Sequence, residues 1–300
     1  MEDLCIRCTL PESRLEVAIA LTTEVCRCAQ AAHALKSTSA VALGRLLTSV
    51  ALMSATGKKE GTMSAQFVTR TTMRQLYADA THEGHLRGFA KNPNLAFPLF
   101  EGETQLGRRT LAPALRPGEI SVIRMQAETG EYTQSTTPIT SGEVDEDLEF
   151  FLNQSDQVPT ALAADVIVGE GDRIFGAGGL LVQALPDGDT VRLEAIRASL
   201  RGGRFTECLS SILPNRSAHD LIREFLPDAK IIDALPLKWQ CRCSMEKVMD
   251  SIRLLGPTDL AEMIEANHDV VVNCDLCASR YVVTPTEIAK IFEAQIRARG

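Results

Sequence analysis

The C-terminal part of this chain contains two close pairs of cysteines, in the stretches WQCRCS at residues 239–244 and VNCDLC at residues 272–277. Thirty residues separate the two pairs. Zinc in structural sites is held by four ligands at the corners of a tetrahedron, and two closely spaced cysteine pairs supply such a set. We therefore predict a zinc site in this region. Its four candidate ligands are Cys241, Cys243, Cys274 and Cys277.

Three interpretations of these cysteines are open from the residues alone. They could be buried apolar thiols, a purely structural zinc site, or a zinc site that is also a redox switch. A switch is chemically reasonable because zinc binds thiolates, which are also the form of cysteine that oxidants attack. Loss of two electrons per pair would give disulfides and expel the metal. Because about sixty residues are too few for a large core, metal binding would contribute much of the folding free energy of this tail.

The composition is that of an ordinary soluble chain, with 45% hydrophobic and 23% charged residues in a length of 300. That length is enough for two domains with separate cores. The net charge of −8 predicts no binding to nucleic acid, because proteins that bind nucleic acid usually have a basic surface. The most apolar stretch, residues 39–55, is interrupted by Gly44 and Arg45, so no membrane span is expected. The acidic start, Met-Glu-Asp, is unlike a secretory signal, which predicts a cytoplasmic location.

Five further cysteines lie outside the tail: Cys5, Cys8, Cys26, Cys28 and Cys208. A disulfide framework is not expected, because cytosolic reductants keep thiols reduced. The first four imitate the tail arrangement in reverse order and could form a second metal site. We favour accessory or inert thiols, because Cys26 and Cys28 fall in a predicted helix and would point in nearly opposite directions.

Residues 1–185 are predicted to form an α+β domain with antiparallel strands. Apolar residues at helical spacing predict helices over residues 12–36 and 38–56. Beyond residue 61, alternating and apolar runs predict strands, two of them joined by a hairpin at Thr129-Gly130. The predicted strands cover residues 63–67, 76–80, 86–90, 120–125, 131–134, 161–168 and 178–184.

An acidic run at residues 143–149 is predicted to begin a short helix that ends near Asn153. Thr140 and Ser141 are expected to cap this helix. Its carboxylates are expected to face solvent at the helix N-terminus, where the helix dipole favours negative charge.

The turn that begins at Pro186 is expected to end the first domain. Residues 186–237 are predicted to form a helical linker of middling stability, because glycines and prolines interrupt their helical spacing. Residues 238–300 are predicted to form a small zinc-binding domain. Its expected elements are a helix over 245–255 capped by Ser244, strands at 270–272 and 281–283, and a last helix opened by a Thr284–Glu287 capping box.

The sequence contains no motif that indicates catalysis. The glycines at residues 169–179 do not complete a dinucleotide fingerprint, because its third glycine would fall at Ile174. No Gly-x-Ser-x-Gly elbow and no metalloprotease histidine pair is present. We therefore expect a protein that is not an enzyme and that works without a nucleotide.

The cysteine-rich tail resembles that of the redox-regulated 33 kDa heat-shock proteins, a family of holdase chaperones. Three segments of the first domain are also similar to signatures of that family, and the likeness fades across residues 186–235. In the tail it is carried by residues 239–247, residues 272–277, Tyr281 and the closing helix. In the first domain it is carried by residues 43–61, 84–88 and 177–183.

This resemblance implies that the tail cysteines hold zinc while the protein is reduced and inactive. Oxidation in the family pairs near neighbours, which implies the disulfides Cys241–Cys243 and Cys274–Cys277. Zinc then leaves, the tail and linker unfold, and the protein forms a homodimer that binds unfolding client proteins without ATP. Apolar linker residues would be uncovered for clients, namely Ile212, Leu213, Leu221, Ile222, Phe225 and Leu226.

Two other functions are kept as alternatives. A thiol-disulfide oxidoreductase would need an exposed cysteine of low pKa near the start of a helix. A binding protein with a structural zinc ribbon would bind nucleic acid in a salt-dependent way, although the net charge argues against it. The N-terminal cysteine pairs and Cys208 are not part of the family pattern.

Overall fold

The computed structural model describes residues 2–57, 61–97, 110–212 and 217–299 of the chain. The chain divides into two compact units, residues 1–240 and residues 241–300. Helices and antiparallel sheets are both present, so the α+β class predicted from the sequence is confirmed. The residues predicted as a linker, 186–237, lie within the first unit.

The first unit consists of strands and helices in alternating groups. Its strands are β1 (Leu4–Leu10), β2 (Leu15–Leu21), β3 (Gly61–Thr69), β4 (Gln75–Thr81), β5 (His85–Ala90), β6 (Gly118–Gln126), β7 (Tyr132–Pro138), β8 (Thr160–Val168), β9 (Ile174–Ala184), β10 (Lys230–Pro236) and β11 (Lys238–Trp239). Its helices are α1 (Thr23–His33), α2 (Ser37–Ala55), α3 (Ala112–Leu115), α4 (Val144–Gln154), α5 (Thr190–Arg201), α6 (Arg204–Ile212) and α7 (Ala218–Phe225).

These strands form two sheets, which we call sheet A and sheet B. Sheet A has five strands in the order β10-β1-β2-β9-β8, and sheet B has six in the order β11-β5-β4-β3-β6-β7. Neighbouring strands are antiparallel, except that β11 pairs in parallel with β5. All seven strands predicted between residues 63 and 184 are confirmed, and Thr129-Gly130 lies in the turn between β6 and β7.

Helix α2 is the central element of the first unit and contacts strands of both sheets. Seventeen of its 19 residues are buried, so it is apolar around its whole circumference rather than on one stripe. By length and composition alone it could cross a membrane, contrary to the expectation from its glycine and arginine. In the structure, however, 89% of that apolar window is buried, as in the core helix of a globular unit.

The helix predicted over residues 12–36 is wrong in its first half. Residues 15–21 form strand β2, and helix α1 begins only at Thr23. Strand β2 lies between β1 and β9 inside sheet A and is buried on both faces, so six of its seven residues are apolar and only Glu16 interrupts the run. Such a run cannot be told from a buried helix by periodicity. Strand β1, at residues 4–10, was not predicted.

The acidic residues at the start of α4 do not face solvent as predicted, because Asp145, Asp147 and Glu149 are all buried. Asp147 accepts hydrogen bonds from the backbone N–H groups of Thr140, Ser141 and Gly142 at 2.9, 2.7 and 2.8 Å. The expected direction of capping is thus reversed. A helix carboxylate satisfies the preceding loop, instead of loop hydroxyls satisfying the helix.

A buried ionic network connects α2 to sheet A. The Arg45 guanidinium has no exposed surface and donates to Asp165 Oδ1 from Nε and Nη2 at 3.2 and 3.0 Å. It also donates to Glu143 Oε2 from Nη1 at 2.6 Å. The other Asp165 oxygen accepts from Thr206 Oγ1 on α6 at 2.8 Å. The network therefore also binds a helix from the segment predicted as a linker.

The segment predicted as a linker covers the second face of sheet A. Helices α5, α6 and α7 bury Leu193, Phe205 and Phe225 against the strands in a core of their own. The last part of the segment corrects the prediction of helical structure, because residues 230–236 form strand β10 at the edge of the sheet.

The second unit contains three helices and one β-hairpin. They are α8 (Met245–Arg253), α9 (Pro257–Glu265), the hairpin of β12 (Val270–Asn273) and β13 (Arg280–Val283), and α10 (Pro285–Arg299). The Ser244 cap of α8 and the Thr284–Glu287 capping box of α10 are confirmed. Its core of described residues is small, with five fully buried apolar side chains: Ile252, Leu260, Val283, Ile288 and Ile291.

The buried network gives a stability prediction for Asp165→Asn. Because the change leaves part of the Arg45 charge uncompensated in the core, the free energy of unfolding should fall by about 3 kcal/mol. Urea titration followed by fluorescence of Trp239, the one tryptophan of the chain, reports on the first unit. The matched control is Asp156→Asn, whose ion pair with Arg124 is partly exposed and should contribute about 1 kcal/mol or less. Equal losses in the two variants would contradict the assignment.

Candidate metal centre

The four tail cysteines are presented by two short segments of backbone. Cys241 and Cys243 lie in extended chain between β11 and the start of α8, so both side chains of the pair reach the same region. Cys274 and Cys277 lie in the turn between β12 and β13. In that turn, Cys277 N–H and Ala278 N–H donate to Cys274 O at 3.4 and 2.8 Å.

The structure brings all four predicted ligands together. Cys241 Sγ lies 3.8 Å from Cys274 Sγ, and Cys243 Sγ lies 3.4 Å from Cys277 Sγ. All four sulfurs lie within 4.8 Å of one another, and each cysteine is partly buried.

This arrangement fits a tetrahedral zinc ion. With zinc–sulfur bonds of about 2.3 Å, the sulfurs of a regular tetrahedron are separated by about 3.8 Å. The observed contacts lie close to that separation, and four thiolates are a donor set that zinc prefers. The four side chains can therefore hold one metal ion, for which zinc is the expected element.

Two hydroxyl groups form hydrogen bonds with the sulfurs. Tyr281, on β13, donates to Cys243 Sγ at 3.0 Å. The Cys277 thiol donates to Ser279 Oγ at 3.2 Å, and this hydroxyl can donate in return when the sulfur is a thiolate. Such outer hydrogen bonds orient metal ligands and tune their charge. Sequence analysis placed Tyr281 only in a strand and did not identify Ser279, because neither contact follows from spacing along the chain.

Two of the four thiols have a raised pKa in the absence of metal. Burial raises the pKa of Cys243 and raises the pKa of Cys274 to about 12, although N–H groups of Leu276 and Cys277 oppose the second shift. The hydrogen bond to Cys243 raises the pKa of Tyr281 to about 12. Metal binding near neutral pH must therefore displace protons from these thiols, so metal affinity should rise with pH.

A groove of about 390 Å³ opens beside the sulfurs within the second unit. Cys243, Cys274 and Tyr281 are among the residues that line it. The others are mostly apolar, and Ser244, Lys247 and Ser251 are the polar ones. Small oxidants therefore have a path to at least two of the four sulfurs.

The remaining cysteines do not assemble a second centre. Cys5 and Cys8 lie on opposite faces of β1, one in the core against α2 and the other in the core under α5–α7. Cys26 is buried while Cys28 is exposed on the other side of α1. Burial raises the pKa of Cys5 and of Cys26 to about 12 each. Within the described part of the chain, only the tail cysteines form a close group of metal-binding side chains.

The chain is similar to known proteins over nearly its whole length. The model of the family described as "Hsp33 protein" matches residues 3–284. A 33 kDa chaperonin of Acetivibrio thermocellus is 28% identical over 98% of this chain and 99% of its own length. One from Staphylococcus carnosus is 26% identical over 97% and 98%. The crystal structure of a Thermotoga maritima 33 kDa chaperonin, a heat shock protein 33 homolog, has the same fold, with a TM-score of 0.84, 24% identity and coverage of 99% and 100%.

The hydrogen bond from Tyr281 gives a prediction on metal affinity. In Tyr281→Phe, loss of this donor should weaken zinc binding by about tenfold, because outer partners of metal ligands commonly contribute that much. Competition with a chromogenic zinc chelator measures the change. Tyr132→Phe, an exposed tyrosine on β7 in the first unit, is the matched control and should bind zinc as the unaltered chain does. Equal affinities of the two variants would contradict the role of Tyr281.

Proposed function

Since this chain belongs to the Hsp33 family, we propose that it is a redox-regulated, ATP-independent holdase chaperone. In this proposal the protein is inactive while the four tail cysteines bind zinc. Once these cysteines are oxidised, it protects unfolding or oxidatively damaged proteins from aggregation. The observation that carries the proposal is the convergence of four sulfurs within 4.8 Å, starting at the first residue after the first unit. A metal centre at this position can couple the state of the sulfurs to the segment that precedes it.

The small core of the second unit supports a dependence of its folding on metal. Five fully buried apolar side chains are few for a unit of this length, so a metal bound by Cys241, Cys243, Cys274 and Cys277 would contribute much of its stability. When bound, zinc keeps the four sulfurs as thiolates near neutral pH. Removal of the metal should therefore unfold the second unit.

Oxidation removes the ligands of the metal. Each pair of thiolates gives two electrons to one molecule of hydrogen peroxide, which takes two protons from solvent and leaves as two water molecules. One sulfur–sulfur bond forms in each pair, and we propose Cys241–Cys243 and Cys274–Cys277 as the bonded partners. A disulfide sulfur is a poor zinc ligand, so the metal is released.

The segment 186–237 is the proposed metastable linker. Leu221, Ile222, Phe225 and Leu226 are buried against sheet A, so lifting this segment would uncover apolar surface on the helices and on the strands. Ion pairs from Arg197 and Arg201 to Glu149 on α4 also hold α5 in place. Of the two other apolar residues named above, Leu213 and the side chain of Ile212 lie outside the described residues.

The proposed partners are unfolded client proteins and, in the oxidised state, a second copy of the chain. We propose a cytoplasmic location, where disulfides form only under oxidative stress. No binding to nucleic acid or to membranes is proposed, in line with the net charge of −8 and the burial of α2.

A thiol-disulfide oxidoreductase is less well supported. Such an enzyme needs a cysteine of low pKa. Burial raises the pKa of seven of the nine cysteines. The holdase function therefore agrees better with these thiols.

The first test of the proposal is light scattering from heat-unfolding citrate synthase. Peroxide-treated protein should suppress the scattering, and zinc-loaded reduced protein should leave it unchanged. Cys274→Ser should lose the difference between the two states, because it removes a metal ligand and a disulfide partner. Cys28→Ser, which removes an exposed thiol on α1, is the matched control and should respond normally.

Two results would contradict this proposal in different ways. Equal suppression by both forms would mean a chaperone whose zinc is only structural. Suppression by neither form would exclude a holdase, and catalytic reduction of insulin would then test the oxidoreductase alternative.

The disulfide pairing gives a separate prediction. After peroxide treatment, mass spectrometry of unreduced peptides should find Cys241 bonded to Cys243 and Cys274 bonded to Cys277. The contacts of the reduced structure offer another possibility, because Cys241 also lies close to Cys274 and Cys243 close to Cys277, at 3.8 and 3.4 Å. Peptides from the two segments would then remain covalently joined, and that result would overturn the proposed pairing.

A further inference from the structure

Strand β10 is the edge strand of sheet A and covers β1. The two strands pair in antiparallel fashion over six positions, from Leu4 opposite Pro236 to Thr9 opposite Lys230. Without β10, the outer N–H and C=O groups of β1 would have no partners in the sheet. A free strand edge of this kind is a template for another extended segment.

The two strands differ sharply in how they are held. In β1, Cys5, Ile6 and Cys8 have no exposed surface, and both faces of the strand pack into cores. In β10, all residues except Leu235 are exposed, and Ile231 and Ile232 keep 50% and 55% of their surface. Strand β10 therefore has little side-chain packing to hold it on a rigid neighbour.

The pairing is also irregular. The register shifts between Arg7 and Cys8, so Ile232 has no opposite residue in β1 and forms a bulge. This bulge reduces the number of main-chain hydrogen bonds that hold β10.

Side chains of β1 and β10 make one ion pair, and Leu235 of β10 packs against the core that contains Cys5. Arg7 forms an ion pair with Asp233, in which Arg7 Nε donates to Asp233 Oδ1 at 2.9 Å. Elsewhere the exposed side chains of β10 leave recognition to the main chain. Recognition through the main chain is tolerant of sequence, which suits a surface that must accept many different segments.

Residues immediately after β10 connect this strand to the metal centre. Leu237 N–H donates to Asp3 O at 2.9 Å, and Gln240 N–H donates to Leu86 O in β5 at 2.9 Å. The next residue is Cys241. Strand β10, which covers the edge of β1, is thus connected to the first predicted metal ligand by a short stretch of chain. Three residues, 237–239, lie between the end of β10 and Gln240.

We propose that the outer edge of β1 is a docking site for clients, which β10 occupies in the resting protein. The occupant that replaces β10 is an extended segment of a non-native protein, bound by main-chain hydrogen bonds as an added strand, with an acidic residue favoured opposite Arg7. This inference rests on the proposed holdase function and names the surface through which it acts. Strand β10 itself is the example of what the edge accepts.

The probe is a fluorescent peptide with the sequence of residues 229–236, tested on the full-length protein. It should bind the peroxide-treated form and not the zinc-loaded reduced form. Two versions of the peptide, N-methylated on alternate residues, have the same side chains. Because alternate N–H groups of a strand face its neighbour, only one of the two should lose binding. Loss in neither version would overturn binding as an added strand.

A full-length variant vacates the edge without oxidation. Lys230→Pro with Leu235→Pro removes two N–H groups that face β1 and leaves β1 unchanged, so this variant should bind the peptide while reduced. Ile232→Ala, at the residue without a partner, is the matched control and should not. Arg7→Ala should weaken binding severalfold, and less so for a peptide that carries Asp233→Ala. No binding to the reduced proline variant would overturn the proposal.

Hydrogen exchange of the wild-type protein gives a second measurement that needs no variant. On oxidation, amides of residues 230–236 should lose protection, and reduced carboxymethylated α-lactalbumin should restore protection to residues 4–9 but not to residues 230–236.

If aggregation is suppressed while residues 4–9 are unaffected by client, the holdase function holds and the docking edge is wrong. If aggregation is not suppressed but the proline variant binds the peptide, the edge holds and the holdase function fails. Protection of residues 4–9 by dimerisation alone would identify a second copy as the occupant and overturn client docking.

Discussion

Four sulfur atoms lie within 4.8 Å of one another in the last sixty or so residues of the chain. Those residues bury few apolar side chains, so the convergence of Cys241, Cys243, Cys274 and Cys277 takes the place of a larger core. A unit held in this way depends on the chemical state of its ligands. Burial keeps the thiols of Cys243 and Cys274 protonated without metal, so binding, protonation and folding of the unit are linked.

The first unit has the opposite character, because its central helix α2 and sheet A are supported from all sides. The Arg45 network fixes α2 to the sheet from within the core. One segment of the chain covers the outer face and one edge of sheet A. Helices α5–α7 and strand β10 all come from residues 186–237, and that segment leads directly into the metal centre. One stretch of chain thus covers both an apolar face and a strand edge, and it continues into the unit whose folding depends on the sulfurs.

The parts of this structure that could be predicted from sequence are those with a local cause. Alternating residues on half-buried strands gave the strands of sheet B, and Ser244 and Thr284 marked the starts of two tail helices. The errors have a common cause in burial. Strand β2 lacks alternation because both of its faces are covered, and Asp147 is buried because the preceding loop needs its carboxylate. Both depend on how other parts of the chain pack around these residues, which a local pattern does not show.

The sequence by itself determined the metal centre and the family, because the type and spacing of four cysteines are enough to specify a tetrahedral sulfur site. Only the tertiary structure decided which groups surround that site and what the preceding segment does. The hydroxyl of Tyr281 reaches Cys243 across 38 residues, and β10 lies on a strand more than 220 residues earlier in the chain. Contacts of this range depend on how the whole chain packs, since main-chain pairing and burial carry no local signature in the residues that make them.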